Sequence, residues 1–215
     1  MKIVLLGPPG SGKGTQAELI CNKYNIPHIS TGDIFRQNIR EKTPLGVSIE
    51  ECIAKGELVP DKITNLVVKD RLSKPDCKNG FVLDGFPRNL DQSKFLDDVT
   101  NIDKAIMIDL DDEEIIKRLS TRRMCRKCGN PTNVGWLVDG KCEKCGGEVF
   151  IRQDDMPETI KNRLEKQKLP QNVVDFYQSK NVFEKVSSLG GKEETFEHVD
   201  KILASLKRQA KNDKN

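Results

Sequence analysis

Apolar residues fall in short blocks along this chain, and the blocks alternate between strand-like runs and helix-like spacing. Residues 2–6 (Lys-Ile-Val-Leu-Leu) form one continuous run of strand length. Residues 15–24 follow with Ala17, Leu19, Ile20 and Cys21 along one side of a helix. Pro27-His28-Ile29-Ser30 is a short extended piece. From Thr31 to about Gly56 the spacing is helical, charged and sparse in large apolar residues, with a break at Thr43-Pro44. Such a segment is expected to be a small helical flap without a core of its own. Pro60-Asp61 opens another helix, with Ile63, Leu66, Val67 and Val68 on one side.

Further strands are expected at 81–83, 104–110 and 182–189, and a helix at 112–122. The final helix repeats Phe196, Val199, Ile202, Leu203 and Leu206, and the polar stretch 207–215 is expected to fray. Strands alternating with helices predict an α/β fold with a mostly parallel sheet flanked by helices.

Composition narrows this little. A chain of 215 residues with 36% hydrophobic and 32% charged residues can bury a core of ordinary size. A formal net charge of +3 argues against a bulk electrostatic attraction to nucleic acid. No apolar run approaches membrane-spanning length, and Met1-Lys2 with four apolar residues is too short for a secretory signal. The expected address is the cytoplasm, the expected state a monomer, and the seven cysteines are expected to stay reduced.

The candidate chemistry begins where the first strand ends. Gly7-Pro-Pro-Gly-Ser-Gly-Lys13 is a glycine-rich turn between strand and helix, followed by Gly14 and Thr15. Glycines at 7, 10, 12 and 14 are expected to allow positive φ and bring backbone N–H groups close to an anion. The following helix would point its unpaired N–H groups there, and Lys13 would add a mobile positive charge for the β- and γ-phosphates. Gly14 occupies the place where the general phosphate-loop pattern has a hydroxyl, and Thr15 comes one position late. Asp84 closes the strand 81–83 at its carboxyl end, where parallel sheets bind ligands, and suits a Mg²⁺ ion held through water.

An insertion between Arg123 and Asp154 breaks the alternation. Cys125-Arg-Lys-Cys128 and Cys142-Glu-Lys-Cys145 give two knuckles with glycines just after them, a set of four thiolates for a tetrahedral Zn²⁺. Four sulfur ligands leave no open position, so such a metal is structural. Cys21, Cys52 and Cys77 are unclustered and read as ordinary thiols. The two histidines, His28 and His198, read as structural or exposed.

These motifs, together with Ser30-Thr-Gly-Asp33, Asp84-Gly-Phe-Pro-Arg88 with Gln92, Arg122-Arg123 and Arg152-Gln-Asp-Asp155, resemble adenylate kinase, in the long bacterial form with a zinc-bearing lid. Gly14 is the usual residue of that family's loop. The resemblance runs from Met1 to about Leu206. It implies a P-loop NTPase-like core (1–29, 60–121 and 159–215), a helical NMP-binding flap (30–59) and a zinc-stapled lid (122–158). It also implies reversible phosphoryl transfer from Mg·ATP to AMP, giving two ADP. Gly10, Ser11, Gly12, Lys13, Gly14, Thr15, Arg118 and Arg122 would bind ATP. Thr31, Arg36, Gly85, Arg88, Gln92, Arg152 and Arg163 would bind AMP, with Gln92 reading the base edge. Lys13, Arg88, Arg122, Arg152 and Arg163 would act on the phosphates in transit, and Asp154 and Asp155 would orient the lid arginines.

The lid departs from the family in being shorter between its knuckles. It offers Asn130-Pro131 and Trp136 in place of the usual Tyr-His and Asn-Pro-Pro pieces. Around Gly190 to Glu194, where the family contacts adenine through backbone, no residue is assigned. Two other readings compete: a different nucleoside monophosphate kinase or a GTP-using AMP phosphotransferase, and a zinc-ribbon nucleic-acid binder. The last rests on Arg122, Arg123, Arg126, Lys127, Lys141 and Lys144. Asp154 and Asp155 beside them and the small net charge oppose it.

Overall fold

A computed structural model describes residues 1–212, with side chains through Arg208. In chain order the first elements are β1 (Lys2–Leu6), α1 (Lys13–Tyr24), β2 (His28–Ser30), α2 (Thr31–Arg40), α3 (Pro44–Ala54), α4 (Asp61–Leu72), β3 (Phe81–Asp84), α5 (Leu90–Val99) and β4 (Lys104–Asp109). They are followed by α6 (Asp112–Thr121), β5 (Arg122–Cys125), β6 (Pro131–Asn133), β7 (Val149–Phe150), α7 (Pro157–Lys166), α8 (Gln171–Ser179), β8 (Phe183–Ser187) and α9 (Gly191–Asn212).

The main sheet is parallel in the order β2-β3-β1-β4-β8. Its central strands β1 and β3 are buried on both faces, as crossover helices require, whereas the edge strand β8 buries only Val186. Alternation along β1 divides the core: Ile3 and Leu5 face Ala17, Ile20, Val199 and Leu203 of α1 and α9. Val4 and Leu6 face the other way, toward Val68, Leu96, Val173 and Tyr177 of α4, α5 and α8. The register sets Leu5 beside Asp84, and Ser30 beside Asp84 on the other side. The carboxyl ends of β1, β2 and β3 therefore share one edge, and the loops leaving them converge there. This is a P-loop type of α/β fold.

Several expectations change. Leu66 does not belong to the packed side of α4: it is 64% exposed, while Thr64 and Val68 are buried. The segment 31–56 does reach a small core, because Phe35 and Ile49 meet Val59, and Ile63 and Val67 of α4 pack against them. Apolar residues too sparse within either helix suffice once three helices pool them. Arg122 is not the end of α6 but the first residue of β5. α9 continues to Asn212, six residues into the stretch expected to fray, and 213–215 lie outside the described residues. Among the described residues no helix is long and apolar enough to cross a membrane.

The insertion forms a separate antiparallel sheet, β6-β5-β7, with almost no apolar interior. Cys125, Cys142 and Thr132 are its buried residues between 122 and 150, whereas Val134, Trp136 and Val138 stand exposed. Each knuckle closes on backbone bonds, from Gly129 N–H to the Cys125 carbonyl and from Gly146 N–H to the Cys142 carbonyl. Hydrophobic burial alone does not hold such a unit.

Candidate active site

The loop after β1 turns sharply because its glycines permit it. Gly7 has φ 131°, and a Cβ there would lie 2.3 Å from the Ile108 carbonyl oxygen. Gly12 has φ 99° at the start of α1. Gly14 differs from the expectation of positive φ: it lies inside α1, and its role is spatial, since a Cβ there would be 3.7 Å from Asp84 Oδ2. The missing side chain leaves the helix start open toward that carboxylate. Ser11 is fully buried, and its Oγ has no protein partner.

Lys13 is buried, and its Nζ donates to the Pro8 carbonyl at 2.7 Å, folded back over the loop. Burial pulls its pKa down to about 7, with Asp84 opposing and Arg88, Arg163 and Arg122 adding to the fall. A polyphosphate bound here would restore opposite charge and hence the proton. The expected result is uptake of up to about one proton per triphosphate bound at pH 8. Calorimetric titrations in buffers of different ionisation enthalpy measure it; the same uptake in a Lys13→Met variant would contradict it.

Asp84 ends β3 beside this loop. Burial works against its ionisation, but His28, Lys13 and Arg88 outweigh that and lower its pKa. His28 Nε2 stands 3.7 Å from Asp84 Oδ2, longer than a hydrogen bond, so the interaction is one of charge. His28 is thus a half-buried neighbour of the site. An ionised carboxylate at the strand end, facing a helix start without a side chain, fits a hydrated Mg²⁺.

On the other side a cleft is lined by Thr31, Arg36, Gly85, Arg88, Gln92, Asp154 and Arg163, among others. Thr31 begins α2 and its hydroxyl reaches the Asp84 carbonyl at 3.4 Å. A Cβ on Gly85 would lie 2.7 Å from that hydroxyl, so glycine permits the approach. Arg88 Nε donates to the Gly85 carbonyl at 2.8 Å, and Arg36 pairs with Asp33 at 2.5 Å. Asp33 has no assigned part in the sequence reading, although one helical turn separates it from Arg36.

The remaining arginines hang on two carboxylates. Asp155 accepts from Arg122 Nε at 2.7 Å and from its terminal nitrogen at 2.5 Å, and also from Arg163 at 2.7 Å. Asp154 takes both forks of Arg152 and lies 3.3 Å from Arg163. Burial would raise the Asp154 pKa, but Arg152 and Arg163 hold it well below the usual carboxylate range. Burial, with Asp154 opposing and Arg152 and Arg122 adding, lowers Arg163 to about 10. Arg163 Nε remains buried without a partner. Contacts from α7 to the 55–57 turn, such as Gln167 Nε2 to the Gly56 carbonyl at 2.8 Å, bring this cluster against the flap.

Arg118 lies on the loop side: a Cβ on Gly12 would be 3.8 Å from its terminal nitrogen. Its guanidinium donates to the Ser188 carbonyl at 2.8 Å. Ser188 thereby joins the neighbourhood of the loop, a contact between α6 and the turn after β8 that linear spacing does not reveal. Thr15 lies one residue beyond Gly14 in α1 and is half-buried.

The four knuckle sulfurs lie within 4.8 Å of one another, with Cys125–Cys145 at 3.5 Å and Cys128–Cys142 at 3.8 Å. Zn–S bonds of about 2.3 Å in a tetrahedron place sulfurs about 3.8 Å apart, so the set fits zinc and is far too open for disulfides. Backbone N–H groups of Cys128 and Lys127 lower the Cys125 pKa, while the neighbouring sulfurs raise that of Cys145: thiols this close do not all ionise without a cation among them.

Comparison with known proteins identifies the family. The family described as "Adenylate kinase" matches residues 5–182. The chain is 46% identical to "Adenylate kinase" of Clostridium tetani, over 96% of this chain and 100% of the relative. It is 49% identical to that of Ruminiclostridium cellulolyticum, over 94% and 99%. For Lactobacillus johnsonii the identity is 45%, over 95% and 99%.

Proposed function

This chain belongs to the adenylate kinase family, and we propose that its cleft aligns an ATP held on the loop 7–15 with an AMP held between α2, the 85–92 turn and α7. It is an ATP:AMP phosphotransferase, converting Mg·ATP and AMP reversibly into two ADP. One observation supports the residue assignment most: the charges of Arg88, Arg122 and Arg163, from three separate segments, all act on Lys13. Four buried or half-buried cations without an equal number of carboxylates need a polyanion.

In the reaction a phosphate oxygen of AMP attacks the γ-phosphorus of ATP. The bond from that phosphorus to the β–γ bridging oxygen breaks, and the electron pair stays on the departing ADP. The attacking oxygen is already ionised at neutral pH, so no general base is required. Catalysis is then alignment and stabilisation of charge on the equatorial oxygens. Lys13 and the N–H groups of residues 10–15 hold the donor phosphates, with Arg118 beside them. Arg36 and Arg88 hold the acceptor phosphate, Thr31, Gly85 and Gln92 the nucleoside. Arg122, Arg152 and Arg163 turn their free N–H groups to the phosphate oxygens while Asp154 and Asp155 hold their forks in plane. Mg²⁺ at Asp84, held through water, would screen the β- and γ-phosphates.

Segments 30–59 and 122–158 act as flap and lid over the core, excluding water as a competing acceptor. We infer a monomer in the cytoplasm, where the free nucleotides it uses are found.

Zinc at Cys125, Cys128, Cys142 and Cys145 staples the lid. About one Zn²⁺ per chain is expected, and Cys145→Ser is expected to lower thermal stability more than turnover. Metal analysis of protein purified without chelator checks this; finding no metal would defeat it. The function is tested by a coupled assay across donor and acceptor nucleotides. ATP with AMP is expected to be the best pair; GTP or another monophosphate surpassing it would replace this reading.

A further inference from the structure

Gln92 is 1% exposed, and its amide is held at both ends. Its Oε1 accepts from the Arg88 backbone N–H at 2.7 Å, and its Nε2 donates to Asp61 Oδ1 at 2.6 Å. Asp61, the first residue of α4, accepts with its other oxygen from Asn89 Nδ2 at 2.9 Å. Asn89 in turn caps α5, its Oδ1 accepting from the Gln92 backbone N–H at 2.8 Å. Asp61, Asn89 and Gln92 thus form a closed ring of hydrogen bonds in which each donor meets an acceptor.

This ring fixes which way the Gln92 amide points. Were it turned over, Oε1 would face a carboxylate that cannot donate, and Nε2 would face a backbone N–H that cannot accept. Both ends oppose the flip. The remaining N–H and the remaining lone pair of Gln92 are therefore presented in one order only. Adenine shows a ring-nitrogen acceptor next to an amino donor. Hypoxanthine shows a ring N–H donor next to a carbonyl acceptor in the same two places. A fixed amide matches one and opposes the other; an amide free to turn matches both.

We propose that Asp61 is a specificity-determining positioning residue: it locks the Gln92 amide in the orientation that accepts adenine and rejects 6-oxopurines at the acceptor site. The inference rests on the reading that Gln92 meets the acceptor base. Asp61 itself touches no substrate. With asparagine at position 61 the size is kept, but each orientation of Gln92 then carries one donor–donor clash, against Asn89 or against the Arg88 N–H. The two orientations become comparable.

The test is kcat/KM for AMP and for IMP at saturating Mg·ATP, in the native protein, Asp61→Asn, Asp61→Ala and Gln92→Leu. Both Asp61 variants are expected to lower the AMP-to-IMP ratio about tenfold or more, with the AMP change in KM rather than kcat. Asp61→Ala removes the acceptor outright, and Asp61→Asn preserves the helix start should the alanine variant fold poorly. An unchanged ratio in the Asp61 variants, including a parallel loss for both substrates, would overturn the proposal. Gln92→Leu separates the causes. If it alone changes the ratio, the lock has failed; if it too leaves the ratio unchanged, the assignment of Gln92 to the base has failed.

Discussion

Lys13→Met is expected to lower phosphoryl transfer about 10³-fold at saturating nucleotides, with thermal stability of the nucleotide-free protein unchanged or higher. The two halves have one cause. Lys13 is buried among Arg88, Arg122 and Arg163, and Asp84 offsets that field in part. The folded protein loses the Lys13 proton near pH 7, whereas the unfolded chain keeps it to about 10.5. Between those values the unfolded state binds more protons, so this group makes stability rise with pH. Below about pH 7 the folded protein carries the full cost of a buried ammonium. Methionine keeps the length and removes that cost, but offers nothing to a phosphate. Steady-state kinetics and a melting curve on one preparation check both halves. A rate within tenfold of native would remove Lys13 from the reaction, and a large fall in stability would make its role structural.

Asp155→Ala is expected to destabilise the nucleotide-free protein by about 3–5 kcal/mol, because it leaves buried cations uncompensated. The Asp155 side chain is 1% exposed and is shared by Arg122 and Arg163, with Arg152 at 3.8 Å. For a chain of this size the melting temperature should fall by roughly 10 °C. Saturating ADP should restore much of the loss, since its phosphates supply the missing negative charge. A fall of less than about 2 °C would mean that solvent, not Asp155, balances these arginines.

The phosphate loop, Asp84 and the cysteine knuckles are legible in the sequence because each is a local pattern with its own physical reason. Strand, glycines and Lys13 adjoin one another, and the knuckle spacing is set by tetrahedral zinc. The pairing of Arg122 with Asp155 is not local: 33 residues and a whole small sheet intervene. Asp61 reads in sequence only as a helix-start residue, and its partner Gln92 is 31 residues away. The flap core is not legible in the sequence because Phe35, Ile49 and Val59 are too thinly spread to signal a core until α4 joins them. Gly14 looks in sequence like a flexible turn glycine, yet it lies in a regular helix and leaves space beside Asp84. Helices α7 and α8, which complete the site and the core, are not among the elements that the apolar pattern predicts.

The central claim is that AMP, not water, accepts the phosphoryl group in a cleft closed by arginines. It is tested most directly by ³¹P NMR of Mg·ATP with the protein, first without and then with AMP. The account predicts almost no phosphate release in the first sample and, in the second, two ADP formed for each ATP consumed until equilibrium. Inorganic phosphate appearing at a similar rate in both samples would contradict it.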